Sequence, residues 1–250
     1  MIKAAVKAIV RKLGYELVRP DYESRYADFE AFHRDVVKQV GPYTVTTPER
    51  IHALIESVRH CIRNHVEGAF VECGVYKGGS MMAVALTLLA EGAANRDLYL
   101  FDTFAGMPKP GEKDADLWGN KAQDEFAGLK ISDESSRWVN CPLDAVRQAM
   151  GSTGYPEARI HYVRGLVENT LPQDAPPHIA LLRLDTDWYQ STRHELVHLY
   201  PRLSANGVLI IDDYGHFMGA REAVDEYFRG HAIAPYLHRI DYTGRLTVKP

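Results

Sequence analysis

Two groups of residues in this chain have types and spacing suited to chemistry. The first is acidic. Asp185-Thr186-Asp187 and Asp212-Asp213 each close an apolar run, IALLRL and GVLII. Both runs read as buried strands, so the acids fall at strand ends. Neighbouring strands lie about 5 Å apart, which would make four carboxylates converge. Like charges that close are costly unless a cation sits among them. Hard oxygen donors suit Mg²⁺ or Mn²⁺. The second group is a glycine loop, Glu72-Cys73-Gly74-Val75-Tyr76-Lys77-Gly78-Gly79-Ser80. Glycines at a strand-to-helix turn let a ligand approach the backbone, and the helix start offers unpaired N–H groups.

The loop is neither G-x-G-x-x-G nor a P-loop. Glu72 would repel a pyrophosphate but would receive an ammonium group. Asp102 ends the next apolar run, LYLFD, where it can accept both ribose hydroxyls. An acid, a glycine turn and a second acid suit S-adenosylmethionine, which has a zwitterionic tail and no phosphate. An Asp-x-Asp pair also occurs in aspartyl phosphatases and nucleotide-sugar glycosyltransferases. The first would place the pair on the first strand, and the second leaves Glu72 and the glycine loop without a role. His216 is a second candidate base or substrate contact, or else a solvated loop histidine. Trp188 and Tyr189 either form a sugar-stacking wall or pack the core.

The elements that must position these residues alternate along the chain. Thr47-Pro48-Glu49 reads as a helix start, and Ile51, Leu54, Ile55, Val58 and Ile62 continue a helix over 48–65. Strands are expected at 69–72, 97–102, 161–163, 179–185 and 207–213. Helices are expected at 80–90, from Pro142, at 192–203 and at 220–229. A terminal hairpin crosses Thr243-Gly244. Residues 21–45 read as irregular, and 103–140 as a long polar stretch. Strands alternating with helices predict an α/β fold: a doubly wound, mostly parallel, seven-stranded sheet with a C-terminal antiparallel hairpin. Ligands then bind beyond the carboxyl ends of the strands. Residues 1–45 form an extension or lid with a possible dimer contact, and 46–250 the catalytic domain.

Composition narrows the class. The chain has 250 residues, 46% hydrophobic and 25% charged, with net charge −4, which is ordinary globular usage. No basic footprint for nucleic acid is present. The longest apolar stretch, 81–90, is half what a membrane span needs. The basic, amphipathic start MIKAAVKAIVRKL reads as a surface or dimer-contact helix, with membrane-surface docking the alternative. Cys61, Cys73 and Cys141 are irregularly spaced, so no disulfide framework follows and a reducing cytoplasm fits.

The motifs VECGVYKGGS, LFDTFAGMP, VRGLVENTLP, LRLDTDWYQST, LYPRLSANGVLIIDDY and GAREAVDEYF resemble, in this order, the macrocin-type (TylF/MycF) sugar O-methyltransferase family. The resemblance spans roughly residues 43–228. It implies a class I, Rossmann-like methyltransferase fold, S-adenosylmethionine, Mg²⁺ and a homodimer or higher homo-oligomer. By this match Glu72, Cys73, Gly74 and Tyr76 hold the methionine end of the cofactor, Asp102 and Thr103 the ribose. Thr44 and Val45 close over it, with Ser80 and Gly165 completing the set. Asp185, Asp212 and Asp213 are the implied metal ligands, and Asp187 the implied general base. The family often has Gly in place of Thr186, and Trp-Arg in place of Tyr76-Lys77. Residues 109–140 and the first forty match poorly and are the expected substrate lids. The implied acceptor is a small-molecule glycoside or sugar, in natural-product or polysaccharide synthesis, with a metal-dependent methyltransferase of aromatic diols as the alternative. A nicotinamide-dependent oxidoreductase and a non-catalytic sugar-binding protein are the remaining readings; the loop spacing speaks against the first and the carboxylate cluster against the second.

Overall fold

In chain order the strands are β1 (Ala69–Cys73), β2 (Leu98–Asp102), a short pair β3 (Lys130–Ser132) and β4 (Ser135–Ser136), β5 (Ile160–Arg164), β6 (Ile179–Leu184), β7 (Leu203–Ile211), β8 (His238–Arg239) and β9 (Arg245–Val248). They come from a computed structural model of the chain, in which residues 26–250 are described. Seven strands form one sheet in the order β5-β2-β1-β6-β7-β9-β8. All its neighbours are parallel except β7–β9 and β8–β9. The expected mostly parallel sheet with an antiparallel terminal hairpin is therefore present. β1 and β6 are buried at every position, as strands covered on both faces must be.

The helices are α1 (Ala31–Val40), α2 (Pro48–Arg63), α3 (Gly79–Ala90), α4 (Ala122–Leu129), α5 (Leu143–Gly151), α6 (Val167–Thr170), α7 (Tyr189–Leu199) and α8 (Met218–Gly230). α2, α3 and α5 pack in succession, as do α6, α7 and α8. Val71, Cys73, Leu182, Leu184, Leu209 and Ile211 face Leu196, Leu199, Val224 and Phe228 of α7 and α8. Alternation along each strand turns Phe70, Glu72, Leu181, Arg183, Val208 and Ile210 to the opposite face.

Two regions depart from the sequence reading. Residues 31–40, read as irregular, form α1, followed by a 3₁₀ turn over Gly41–Tyr43. The buried stripe of α1 is His33, Val36 and Val40; a histidine on that stripe hides the helical period. Within 103–140 the chain forms α4 and the β3–β4 hairpin. α7 starts at Tyr189, three residues before the expected Thr192. The described chain divides into residues 26–34 and a compact unit, Asp35–Pro250. The basic N-terminal segment lies outside the described residues.

The register sets the functional rim. Cys73 pairs with Leu184, and Leu184 with Ile211. Each next residue adds one more ladder bond. Gly74 N donates to Phe101 O at 2.9 Å, Asp185 N to Cys73 O at 2.8 Å, Asp212 N to Leu184 O at 2.9 Å and Gly165 N to Asp102 O at 3.0 Å. The ends of β1, β2, β5, β6 and β7 therefore finish level. α2 begins beside them. Thr47 is its N-cap, accepting from Arg50 N at 3.3 Å, and Pro48 occupies the first turn.

Candidate active site

One cleft of about 410 Å³ lies over these strand ends. Its cofactor half contains Thr44, Val45, Gly74, Tyr76, Ser80, Asp102, Thr103 and Gly165. Its acidic half contains Asp185, Asp187, Asp212, Asp213 and His216. Of the residues singled out from sequence, Glu72, Cys73, Trp188 and Tyr189 do not line the cleft.

In the cofactor half the backbone does most of the work. Gly74 has φ +85°, and a Cβ there would stand 2.1 Å from the Asp185 carbonyl oxygen. Only glycine fits so close a crossing. A Cβ on Gly79 would stand 2.7 Å from Thr44 Cβ, so the 43–46 segment lies directly on the start of α3. Asp102 Oδ2 accepts from Val75 N at 2.6 Å and Tyr76 N at 3.1 Å, and Oδ1 from Phe104 N at 2.6 Å. Sequence placed this carboxylate on ribose hydroxyls; here its contacts first shape the glycine loop. Burial raises its pKa while the three amides pull it down. Tyr76 and Phe104 both hold positive φ, a cost that clusters at functional sites.

Glu72 is fully buried beneath the loop. Its Oε1 accepts from Arg183 Nη1 at 2.6 Å, while Oε2 has no hydrogen-bond partner among the described residues. Burial pushes its pKa up to about 7, against the pull of Arg183. An internal ion pair with Arg183 thus occupies one oxygen of the carboxylate that the sequence reading gave to the ammonium group. The Cys73 side chain points into the α7–α8 core, and burial raises its thiol pKa.

In the acidic half, carboxylate oxygens of Asp185, Asp187 and Asp213 lie within 4.8 Å of one another. Asp187 has φ +66°, and its Oδ1 is buried without a partner among the described residues. Burial raises the pKa of Asp187, and Asp213 and Asp185 raise it further. Burial also raises that of Asp185, with Arg183 pulling down and Asp212 and Asp213 pushing up. Asp213 is raised by burial and by Asp212. The cluster carries charge that a cation would relieve, and Asp187 Oδ1 is left with unused lone pairs beside it. Hard oxygens in this number fit Mg²⁺, which keeps waters and needs one or two carboxylates.

Asp212 does not join that triad. Its Oδ2 meets Arg50 Nη1, and its Oδ1 pairs with Arg183 Nη2 at 2.7 Å. Arg50 also pairs with Asp241 at 3.0 Å. Neither arginine was singled out from sequence. A lone arginine inside the apolar run IALLRL was the available signal, since a buried charge must have partners. His216 sits at the cleft wall, edge-on to Trp118 at 5.8 Å and to Phe217 at 4.6 Å. Trp188 is 3% exposed and donates to Pro108 O at 3.1 Å, and Tyr189 OH donates to Glu226 at 2.5 Å. Neither lines the cleft; Trp138 and Phe217 do.

A doubly wound sheet with an antiparallel last pair, a glycine loop after its first strand and an acidic cluster beyond its later strands defines the class I methyltransferase architecture. The O-methyltransferase NovP shares it, with a TM-score of 0.73 at 29% identity over 83% of this chain and 82% of that one. CalS11, a calicheamicin methyltransferase, shares the fold at TM-score 0.58 and 16% identity, over 93% and 94%. The model of the macrocin O-methyltransferase (TylF) family matches residues 12–248, and the chain belongs to that family. Mycinamicin III 3''-O-methyltransferase of Micromonospora griseorubida is 31% identical over 204 residues, covering 81% of this chain and 76% of that protein. The 8-demethyl-8-(2,3-dimethoxy-alpha-L-rhamnosyl)-tetracenomycin-C 4'-O-methyltransferase of Streptomyces olivaceus is 31% identical over 202 residues, 81% and 74%. Demethyldecarbamoylnovobiocin O-methyltransferase of Streptomyces niveus is 28% identical over 236 residues, 90% and 85%. The protein is an O-methyltransferase. No helix among the described residues is long and apolar enough to cross a membrane.

Proposed function

We propose that this enzyme moves a methyl group from S-adenosylmethionine to a hydroxyl of a sugar or deoxysugar in a natural-product glycoside or polysaccharide precursor, with Mg²⁺ at the acidic half of its cleft. One observation carries the reading. The orphaned Asp187 Oδ1 sits with Asp185 and Asp213 in the same cleft as the glycine loop. The relatives named above act on glycosides of this kind, which supports the acceptor class.

S-adenosylmethionine supplies a methyl already activated by its sulfonium. Mg²⁺ held by the acidic half would supply Lewis-acid activation of the acceptor hydroxyl. The glycine loop and the 43–46 segment hold the donor, and alignment of the two reactants removes much of the barrier. Asp185 and Asp213 would hold the cation. Asp187 lies beside them and would take the hydroxyl proton at Oδ1. Asp212, assigned to the metal by resemblance, lines the same cleft and also pairs with Arg50 and Arg183. His216 and Phe217 flank the acceptor. Glu125, Trp138 and Val139 on the wall support a lid role for 109–140, and residues 1–45 are assigned the other lid. A cytoplasmic homo-oligomer completes the reading, in line with three free cysteines.

Methyl transfer from labelled S-adenosylmethionine to a panel of glycosides and catechols, with and without EDTA, tests it. Transfer to a glycoside that stops in EDTA and returns with Mg²⁺ is expected. Transfer to catechols alone would replace the acceptor class, and full activity in EDTA would remove the cation.

A further inference from the structure

Arg183 is the single charged residue of β6, and its side chain is 4% exposed. It stands opposite Glu72 in the β1–β6 register. Its guanidinium has four partners. Nη1 donates to Glu72 Oε1 at 2.6 Å and to Asp185 Oδ2 at 2.7 Å. Nη2 pairs with Asp212 Oδ1 at 2.7 Å and donates to Thr46 Oγ1 at 3.1 Å. Burial works against its charge, but Asp185, Asp212 and Glu72 outweigh it and keep the arginine protonated.

Thr46 belongs to the segment that lines the cofactor half. That segment is braced internally, with Thr46 N donating to Thr44 Oγ1 at 3.0 Å. It rests on the start of α3 at Gly79, and Arg183 holds it at Thr46. The same guanidinium therefore touches a carboxylate of the cation cluster and the strap over the cofactor. A cation on Asp185 takes over part of the charge that Nη1 serves there. The guanidinium is left to Glu72, Asp212 and Thr46, and the Thr46 contact, the longest of the four, has the most room to shorten.

We propose that Arg183 is a positioning residue that couples the two halves of the cleft, so that a divalent cation at the acidic cluster tightens cofactor binding through the Arg183–Thr46 hydrogen bond. The inference rests on the reading of a cation beside Asp185 and a cofactor on the glycine loop. Coupling between sites is reciprocal, so each ligand must strengthen the other by one factor.

The test titrates S-adenosylhomocysteine into the full chain by calorimetry with and without Mg²⁺, and counts bound Mn²⁺ by electron paramagnetic resonance with and without S-adenosylhomocysteine. In the wild type a factor of about five is expected in both directions, the lower end of typical couplings. Thr46→Val, close in shape but without the hydroxyl, should bring the factor near one, and Thr46→Ser should restore it. Arg183→Lys, which keeps a charge but cannot reach four partners, should also abolish it in protein that melts cooperatively. A wild-type factor of one, or a factor unchanged in Thr46→Val, overturns the coupling while leaving both sites in place. Failure of the wild type to bind either S-adenosylhomocysteine or Mn²⁺ overturns the site reading itself and the coupling with it.

Discussion

The two halves of the cleft are built on opposite principles. On the β1–β2 side the working groups are backbone amides and a carboxylate, Asp102, that those amides satisfy at 2.6–3.1 Å. On the β6–β7 side the working groups are side-chain carboxylates that repel one another; the buried Arg183 holds Asp185 and Asp212, and the half-buried Arg50 also holds Asp212. A buried polar group with its partners made is settled; a buried charge cluster without them stores free energy that a cation can release. The first half is shape for a ligand to enter, the second a deficit for a ligand to fill. The difference teaches why a backbone change should damage one side and a charge change the other.

The largest expected effect breaks the acidic half. Asp187→Asn should lower kcat by about 10²–10⁴, the range for a general base, with Mn²⁺ affinity by paramagnetic resonance nearly unchanged. Near-wild-type turnover in the folded variant would leave Asp187 a structural residue. Loss of Mn²⁺ binding to the degree seen in Asp185→Asn would make it a third ligand. Asp212→Asn separates the cases further. As an arginine anchor it should unsettle melting more than cation affinity, and the reverse would return it to the metal.

Gly74→Ala attacks the crossing between the halves. Its Cβ would meet the Asp185 carbonyl at 2.1 Å with φ +85°, and left-handed backbone alone costs about 1–2 kcal/mol outside glycine. The expected result is a destabilisation of at least about 2 kcal/mol by denaturant melting; wild-type stability would show that the strands can part there. Asp102→Ala acts on the cofactor half, leaving three amides without their acceptor. A loss of about 1–3 kcal/mol in S-adenosylhomocysteine affinity is expected by calorimetry, together with lower stability. Unchanged affinity would confine Asp102 to the loop.

The smallest effect is a pH dependence to which the acidic half and Glu72 contribute. Glu72 has a folded pKa of about 7 against an ordinary 4.5, and Asp185, Asp187 and Asp213 are raised by burial and by one another. Between those values the folded chain binds more protons than the unfolded one. Stability is therefore full below about pH 4.5 for these groups and falls as pH rises towards 7 and beyond. Calorimetric melting should show Mg²⁺ raising Tm by a few degrees more at pH 8 than at pH 5.5, the scale of about 1 kcal/mol in a chain this size. An equal rise at both would mean that the cation binds away from these carboxylates.

Much of this was legible before the fold. The apolar runs ending in Gly74, Asp102, Asp185 and Asp212 are local signals, and an apolar strand closed by a polar residue places that residue on the rim whatever its neighbours are. The Thr47-Pro48 helix start is equally local, because a cap bonds within its own turn. The sequence by itself therefore determined the alternation of strands and helices, the glycine loop and the gathering of acids at one rim. Which of these acids pair with an arginine was decided only by the tertiary structure. Arg183 meets Glu72 because β1 and β6 pair in that register, and it reaches Asp212 because β7 lies on the other side of β6. Arg50 reaches Asp212 from a helix 162 residues earlier in the chain. Charge pairing depends on distances of a few ångströms across strands, and no spacing along one chain contains them.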